Sequence, residues 1–153
     1  MATTTRKRRP RPAYITSDIS ASETRIEVLK LLNEKTNLGI EDPSWESEGG
    51  HKTSLRFRIH GRPYKIPVRV PAGVKDPDLE FRRLHRSLAH LMKNVIIAAD
   101  GGLCPVGEIL AAFLVTSDPN QTVGRVLLSL DAGSSKPVVL ALAPAETALM
   151  PTR

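Results

Sequence analysis

Apolar and polar residues alternate through the middle of the chain. Leu55, Phe57 and Ile59 are separated by Arg56 and Arg58, and His60 follows; Tyr64, Ile66, Val68 and Val70 are separated by Lys65, Pro67 and Arg69. Successive side chains of a strand point to opposite faces, so this period of two predicts a hairpin within residues 53–70, apolar on one face and basic on the other. Pairing Ile59 with Tyr64, Phe57 with Ile66 and Leu55 with Val68 would keep the apolar side chains together, and this register is expected. The prolines bear on the connection. A two-residue turn at Gly61 and Arg62 would set Pro63 and Pro67 where the ladder needs donors. A four-residue loop over residues 60–63 turns Pro67 outward, so the longer loop is expected, with the second strand at the sheet edge.

Helical patterns flank the hairpin. Ser20, Ala21, Ser22 and Glu23 match a capping box, in which hydroxyl and carboxylate satisfy each other's free backbone amides. Ile26, Leu29 and Val28, Leu31, Leu32 then follow at helical spacing, and Gly39 can close the end in a left-handed conformation. Asp42 and Pro43 predict a turn, and residues 44–48 a short strand carrying Trp45, ended by Gly49 and Gly50. Asp76, Pro77 and Asp78 supply a cap, a proline at the first helical position and an acid at the positive end of the dipole. In the helix that follows, Phe81, Leu84, Leu88, Leu91, Met92, Val95, Ile96 and Ala99 form one face. Arg82, Arg83, Arg86, His90 and Lys93 form the other, before Gly101 and Gly102. Beyond Leu103 the pattern predicts a short apolar helix over residues 106–115, a turn over 117–120 and an apolar element of either type over 122–130. A linker follows at 133–135, then a short edge strand or ordered tail at 136–142.

The expected fold is α+β, a small antiparallel sheet with a central hairpin packed against helices. It occupies a single domain over residues 18–142, with a disordered basic arm at 1–17 and a flexible tail at 143–153. A chain of 153 residues suffices for one such core, and 41% apolar content with 4% aromatic residues builds it mainly from Leu, Val, Ile and Ala.

The candidate chemistry is sparse. Cys104 is the only cysteine, which excludes an intramolecular disulfide and a Cys-based zinc site, and a buried structural thiol is expected. No phosphate-cradling glycine loop, dinucleotide fingerprint or nucleophile motif occurs. His85 and His90 are five apart, not the three or four that bring two ligands to one metal. The reading is therefore a non-enzymatic protein with no metal site and no cofactor. Residues 1–12 lack an apolar leader and no run approaches the roughly 20 apolar residues of a membrane span, so a cytoplasmic protein without a membrane partner is expected.

Charge points to the partner. Arg6, Lys7, Arg8, Arg9 and Arg11 supply five of the six net positive charges. Residues 51–93 hold eleven Lys and Arg against three acids, whereas residues 12–50 hold three against eight. A basic block of this kind predicts binding to a polyanion. The expected phosphate contacts are Arg56, Arg58, Lys65, Arg69, Arg82, Arg83, Arg86 and Lys93, with Arg6, Lys7, Arg8, Arg9 and Arg11 adding reach. Few aromatic residues are available for base stacking, so duplex or structured nucleic acid is the expected ligand. The alternative is an accessory protein that docks on an acidic protein surface or associates with itself.

Two resemblances accompany this reading. Across residues 52–130, Leu55, Phe57 and Ile59 leading to Gly61, Tyr64, Ile66, Pro67 and Val68, then Lys93, Gly102 and Thr122, Val123, Gly124, resemble a group of small prokaryotic and phage-encoded proteins of unassigned function. That implies an architecture and a bacterial or phage setting. The order helix, strand, hairpin, helix over residues 20–99 also resembles a double-stranded RNA-binding domain, whose duplex recognition uses an inter-strand loop and the basic start of its last helix. Here that helix starts Asp76, Pro77, Asp78, Leu79, Glu80, acidic where the family is basic.

Overall fold

A computed structural model of the chain describes residues 18–131 and Leu142. Helix α1 spans Ala21–Asn33, and its capping box forms as the sequence predicts: Glu23 N–H donates to Ser20 Oγ at 3.2 Å and Ser20 N–H to Glu23 Oε2 at 2.9 Å. A 3-10 turn at Thr36–Leu38 follows. Gly39, at φ +79°, ends that turn and not α1 itself.

Strand β1 (Ile40–Gly49) is longer than predicted, because Asp42 and Pro43 form a bulge inside the strand where a turn was expected. Asp42 takes φ +48°, and the pairing shifts between Glu41 and Ser44. The extra residue bends the strand without ending it. Strands β2 (Lys52–Ile59) and β3 (Arg62–Arg69) complete an antiparallel sheet of order β1-β2-β3. The fold is α+β.

The hairpin register differs from expectation by two residues. Phe57 lies opposite Tyr64, Leu55 opposite Ile66 and Thr53 opposite Val68. The connection is a two-residue turn at His60 and Gly61, with φ +49° and +75°, the twisted turn that suits a tight hairpin. A shift of two leaves every side chain on its predicted face. This turn also solves the proline problem that favoured the longer loop, since residues flanking a two-residue turn bond to each other and Pro63 and Pro67 then face away from β2. The Pro63 carbonyl accepts from Val115 N–H at 3.0 Å on that outer side. His60 reaches its conformation over Gly39, where a Cβ would stand 2.5 Å from the imidazole.

Helix α2 (Pro77–Asp100) starts at Asp76, whose carboxylate accepts from Leu79 N–H at 3.0 Å. Contacts between Arg25 and His85, Glu27 and Arg86, and Lys35 and Asp100 advance together along both helices, so α1 and α2 run side by side in the same direction. Both lie on the apolar face of the sheet. Val28 and Leu32 of α1 and Leu88, Met92, Val95 and Ile96 of α2 meet Leu55, Phe57, Ile59, Tyr64, Ile66 and Val68 in one core. The predicted α2 face gains His85 and Ala89, both fully buried, and loses Leu91, which is exposed.

The short apolar helix divides into α3 (Val106–Ile109) and a 3-10 turn at Ala111–Phe113. Leu114 then bridges to Tyr64 and covers the turn-proximal end of the β3 edge. The turn predicted over residues 117–120 connects Val115 to its bridge partner Thr122. The element of open type is helix α4 (Val123–Asp131). Of the expected strand or tail at 136–142, Leu142 alone is described, and it bridges to Thr116. The arm, the linker expected at 133–135 and the terminal tail lie outside the described residues.

Candidate nucleic-acid interface

The predicted phosphate contacts divide into two sets. Arg56, Arg58, Lys65 and Arg69 stand on the polar face of the sheet, while Arg82, Arg83, Arg86 and Lys93 belong to a helix packed on the apolar face. The thickness of the core lies between them, so the hairpin and helix do not join into one basic surface as expected.

Most of these cations also have carboxylate partners. β1 runs beside β2 and brings its acids across the sheet. Arg56 Nε pairs with Glu46 at 2.8 Å, Lys65 Nζ with Glu48 at 3.0 Å and Arg69 Nη2 with Glu48 at 2.9 Å, and Arg58 pairs with Asp42. Lys65, expected to be exposed, is only 8% accessible. Its amine and the Ser54 hydroxyl both donate to Glu48, which holds that carboxyl down to about 2. On α2, Arg86 and Lys93 both reach Glu27 of α1, and the hydrogen bond from Lys93 holds the Glu27 carboxyl below its ordinary range. Arg83 lies 3.7 Å from Glu80. Of the eight predicted contacts in the folded region, Arg82 alone has no carboxylate partner among the described residues.

Between residues 18 and 131 fifteen Lys and Arg stand against fifteen Asp and Glu. The folded region is balanced, and five of the six excess positive charges fall on the arm, with Arg6, Lys7, Arg8, Arg9 and Arg11 in a stretch free of acids. Lys30, Lys52, Arg62 and Lys75 are exposed and form no ion pair among the described residues.

One arrangement escaped the sequence pattern. Arg25, in the stretch read as acidic, lies with its guanidinium carbon 5.7 Å from the Trp45 ring centre and 5.5 Å from that of Phe81. Its Nε–H donates to His85 Nε2 at 3.1 Å, and Nδ1 of the same imidazole lies 2.8 Å from the Phe81 carbonyl. That carbonyl can only accept, so Nδ1 carries the proton and Nε2 is left as the acceptor Arg25 requires. Burial lowers the pKa of His85, which favours this neutral form. Trp45 is fixed in turn by its Nε1–H, which donates to the Arg25 carbonyl at 3.3 Å. No local motif signals the cluster, because its members come from α1, β1 and α2.

The same end of the molecule carries the β1–β2 turn, where His51 Nε2 lies 2.6 Å from Asp78 Oδ1 in the first turn of α2. Cys104 is part-exposed, not the buried thiol expected. It donates to Glu108 Oε2 at 3.1 Å, and this contact raises the thiol pKa, so the nucleophilic thiolate is disfavoured. Among the described residues no three His, Cys, Asp or Glu side chains converge as metal ligands, and no helix is long and apolar enough to cross a membrane.

No protein-family model matches the chain, and no curated protein or solved structure matches it.

Proposed function

We propose that the chain is a non-enzymatic, sequence-independent nucleic-acid-binding protein that engages phosphates chiefly through its basic arm. The observation that carries this reading is the partition of charge. The folded region neutralises itself, with its sheet and helix cations largely held by its own carboxylates, while five cations in residues 6–11 have no acid among them. A polyanion is the partner such a segment suits, because each phosphate neutralised releases condensed counterions.

Two further features favour duplex or structured nucleic acid. The order α1-β1-β2-β3-α2 resembles the element order of a double-stranded RNA-binding domain. Every Phe, Tyr and Trp ring among the described residues is buried or half-buried, so these rings offer no platform for unpaired bases. Asp76, Asp78 and Glu80 stand where that family is basic, and two of them are paired, Asp78 with His51 and Glu80 with Arg83, so in this reading the arm supplies the cations that the helix start lacks.

The test is binding of labelled duplex DNA and duplex RNA to the full chain across a salt series. The affinity for DNA should fall with salt at a log–log slope of up to about 4 to 5, roughly 0.9 for each of five arm cations engaged. No binding at low salt, or binding indifferent to salt, would overturn the proposal.

A second reading has one specific observation in its favour. Ile97 and Leu103, at the C-terminal end of α2, are 68% and 80% accessible, and exposed apolar side chains of this size suit a protein partner or a second copy of the chain. Sedimentation of the free chain separates the readings, since self-association through this end would appear as a concentration-dependent mass.

A further inference from the structure

Arg25 differs from the other guanidinium groups packed between secondary-structure elements. Arg86 and Arg58 are part-buried and each meets a carboxylate, Glu27 and Asp42. Arg25 is also part-buried, yet among the described residues no carboxylate lies within ion-pair distance and its only side-chain hydrogen bond runs from Nε to His85. Nη1 and Nη2 have no acceptor among the described residues. Burial lowers the Arg25 pKa, and no carboxylate contributes an opposing effect.

The group is nevertheless held firmly. The Nε–H bond to the neutral imidazole sets the guanidinium plane, and the rings of Trp45 and Phe81 lie within the range at which a cation is attracted to a π face. Three elements contribute: α1 supplies the arginine, β1 the indole, and α2 the phenyl and imidazole. A guanidinium fixed along its Nε edge, with neither Nη group engaged by a protein acceptor among the described residues, is preorganised for two parallel hydrogen bonds to an oxyanion. An arginine needed only to fill the space between two rings would not require an acceptor at Nε.

We propose that Arg25 receives one backbone phosphate of the bound nucleic acid, its two Nη groups donating to phosphate oxygens, with His85, Trp45 and Phe81 as positioning residues. This rests on the function proposed above and adds a contact on the folded region to those of the arm. Its ligand is a phosphodiester. An acidic protein segment offers carboxylates to the same edge and is the competing outcome of the test.

The experiment records the arginine side-chain nitrogen–proton spectra of the full chain alone, with inorganic phosphate, with a duplex of ~20 base pairs, somewhat longer than the ~16 a double-stranded RNA-binding domain spans, and with a polyglutamate peptide. Duplex should shift the Arg25 signals and slow rotation of its Nη groups, inorganic phosphate should shift them weakly, and the peptide should leave them in place. In parallel, Arg25→Gln should lower the salt slope on duplex DNA by ~0.9, one phosphate contact, additively with deletion of the arm. Should Arg25→Gln fail to fold, Arg25→Lys keeps a cation over the rings but loses the fork, and roughly tenfold weaker binding is expected. Duplex binding with unmoved Arg25 signals and unchanged slope overturns this inference and leaves the proposed function standing. Absence of duplex binding by the unaltered chain overturns both. A shift with the peptide and none with duplex overturns it in favour of a protein ligand.

Discussion

Lys65 Nζ stands 3.0 Å from Glu48 Oε1 on the polar face of the sheet, with the lysine almost wholly covered. Glu48 also takes Arg69 and the Ser54 hydroxyl, so one carboxylate of β1 gathers donors from both strands of the hairpin. A strand pattern that reads as a basic surface is thereby the inner layer of an ion-pair network. Glu48→Gln should destabilise the protein by about 1–3 kcal/mol in urea titrations, because the covered ammonium loses its nearer counter-ion and keeps only Glu46 at 3.7 Å. The figure lies below that of a fully buried pair, since Glu48 keeps contact with solvent. Lys65→Met should be milder, leaving Glu48 to Arg69 and water, and the double variant should cost less than the two singles combined.

Acid should unfold the protein in two stages. The folded pKa of His85 is lowered by burial, so the unfolded chain binds the proton more readily and stability falls as pH drops below the ordinary histidine value of 6.5. Glu48 and Glu27 are depressed carboxylates, whose contribution is present above their ordinary value of 4.5 and lost as pH falls below it, for Glu48 through about 2. Melting temperatures from pH 8 to 3 should show both declines. In His85→Gln the protein should be less stable throughout, with the upper decline flattened. An unflattened curve would place the titrating group elsewhere.

The register is tested at two adjacent residues. Phe57 is buried and stacks on Tyr64 with ring centres 5.6 Å apart, so Phe57→Ala should cost about 3–5 kcal/mol. Arg58→Ala, on the opposite face with its partner Asp42 largely exposed, should cost about 1 kcal/mol or less. Equal losses in chemical denaturation would contradict the two-faced hairpin.

Arg86→Glu distinguishes a phosphate contact from an internal ion pair. The new carboxylate would face Glu27 across the α1–α2 contact, where Arg86 now donates. A loss of about 2 kcal/mol or more in stability is expected, larger than for a solvated helix face. A variant as stable as the parent, with weakened duplex binding, would restore Arg86 to the interface.

Much of the fold was legible because it rests on local signals. The capping box at Ser20 and Glu23, the Asp76 and Pro77 start of α2, and the alternation from Leu55 to Val68 each act within a few residues, and each forms in the folded chain. The register was missed because faces repeat every two residues, so alternation alone does not separate a turn at His60 and Gly61 from a longer loop. The Asp42 bulge was missed because Asp-Pro reads as a turn when the neighbouring strand is unknown. The candidate site was the least legible part. Charge counts along the chain place cations and acids in separate blocks, yet antiparallel pairing of β1 with β2 superimposes those blocks, and α1 beside α2 does the same for Glu27 with Arg86 and Lys93. Arg25 was hidden for the same reason, its partners lying 20 residues away at Trp45 and 60 away at His85.

The central claim is that the arm carries most of the phosphate contacts while the folded region is electrostatically self-contained. Deleting residues 1–12 removes Arg6, Lys7, Arg8, Arg9 and Arg11 and nothing of the described fold. The decisive measurement is the salt dependence of duplex-DNA affinity for the full and shortened chains side by side. The account predicts that the slope becomes shallower by ~0.9 for each phosphate that the arm neutralises, most of the total, with the melting temperature unchanged. A shortened chain that keeps the full slope would contradict it and move the interface back onto the folded region.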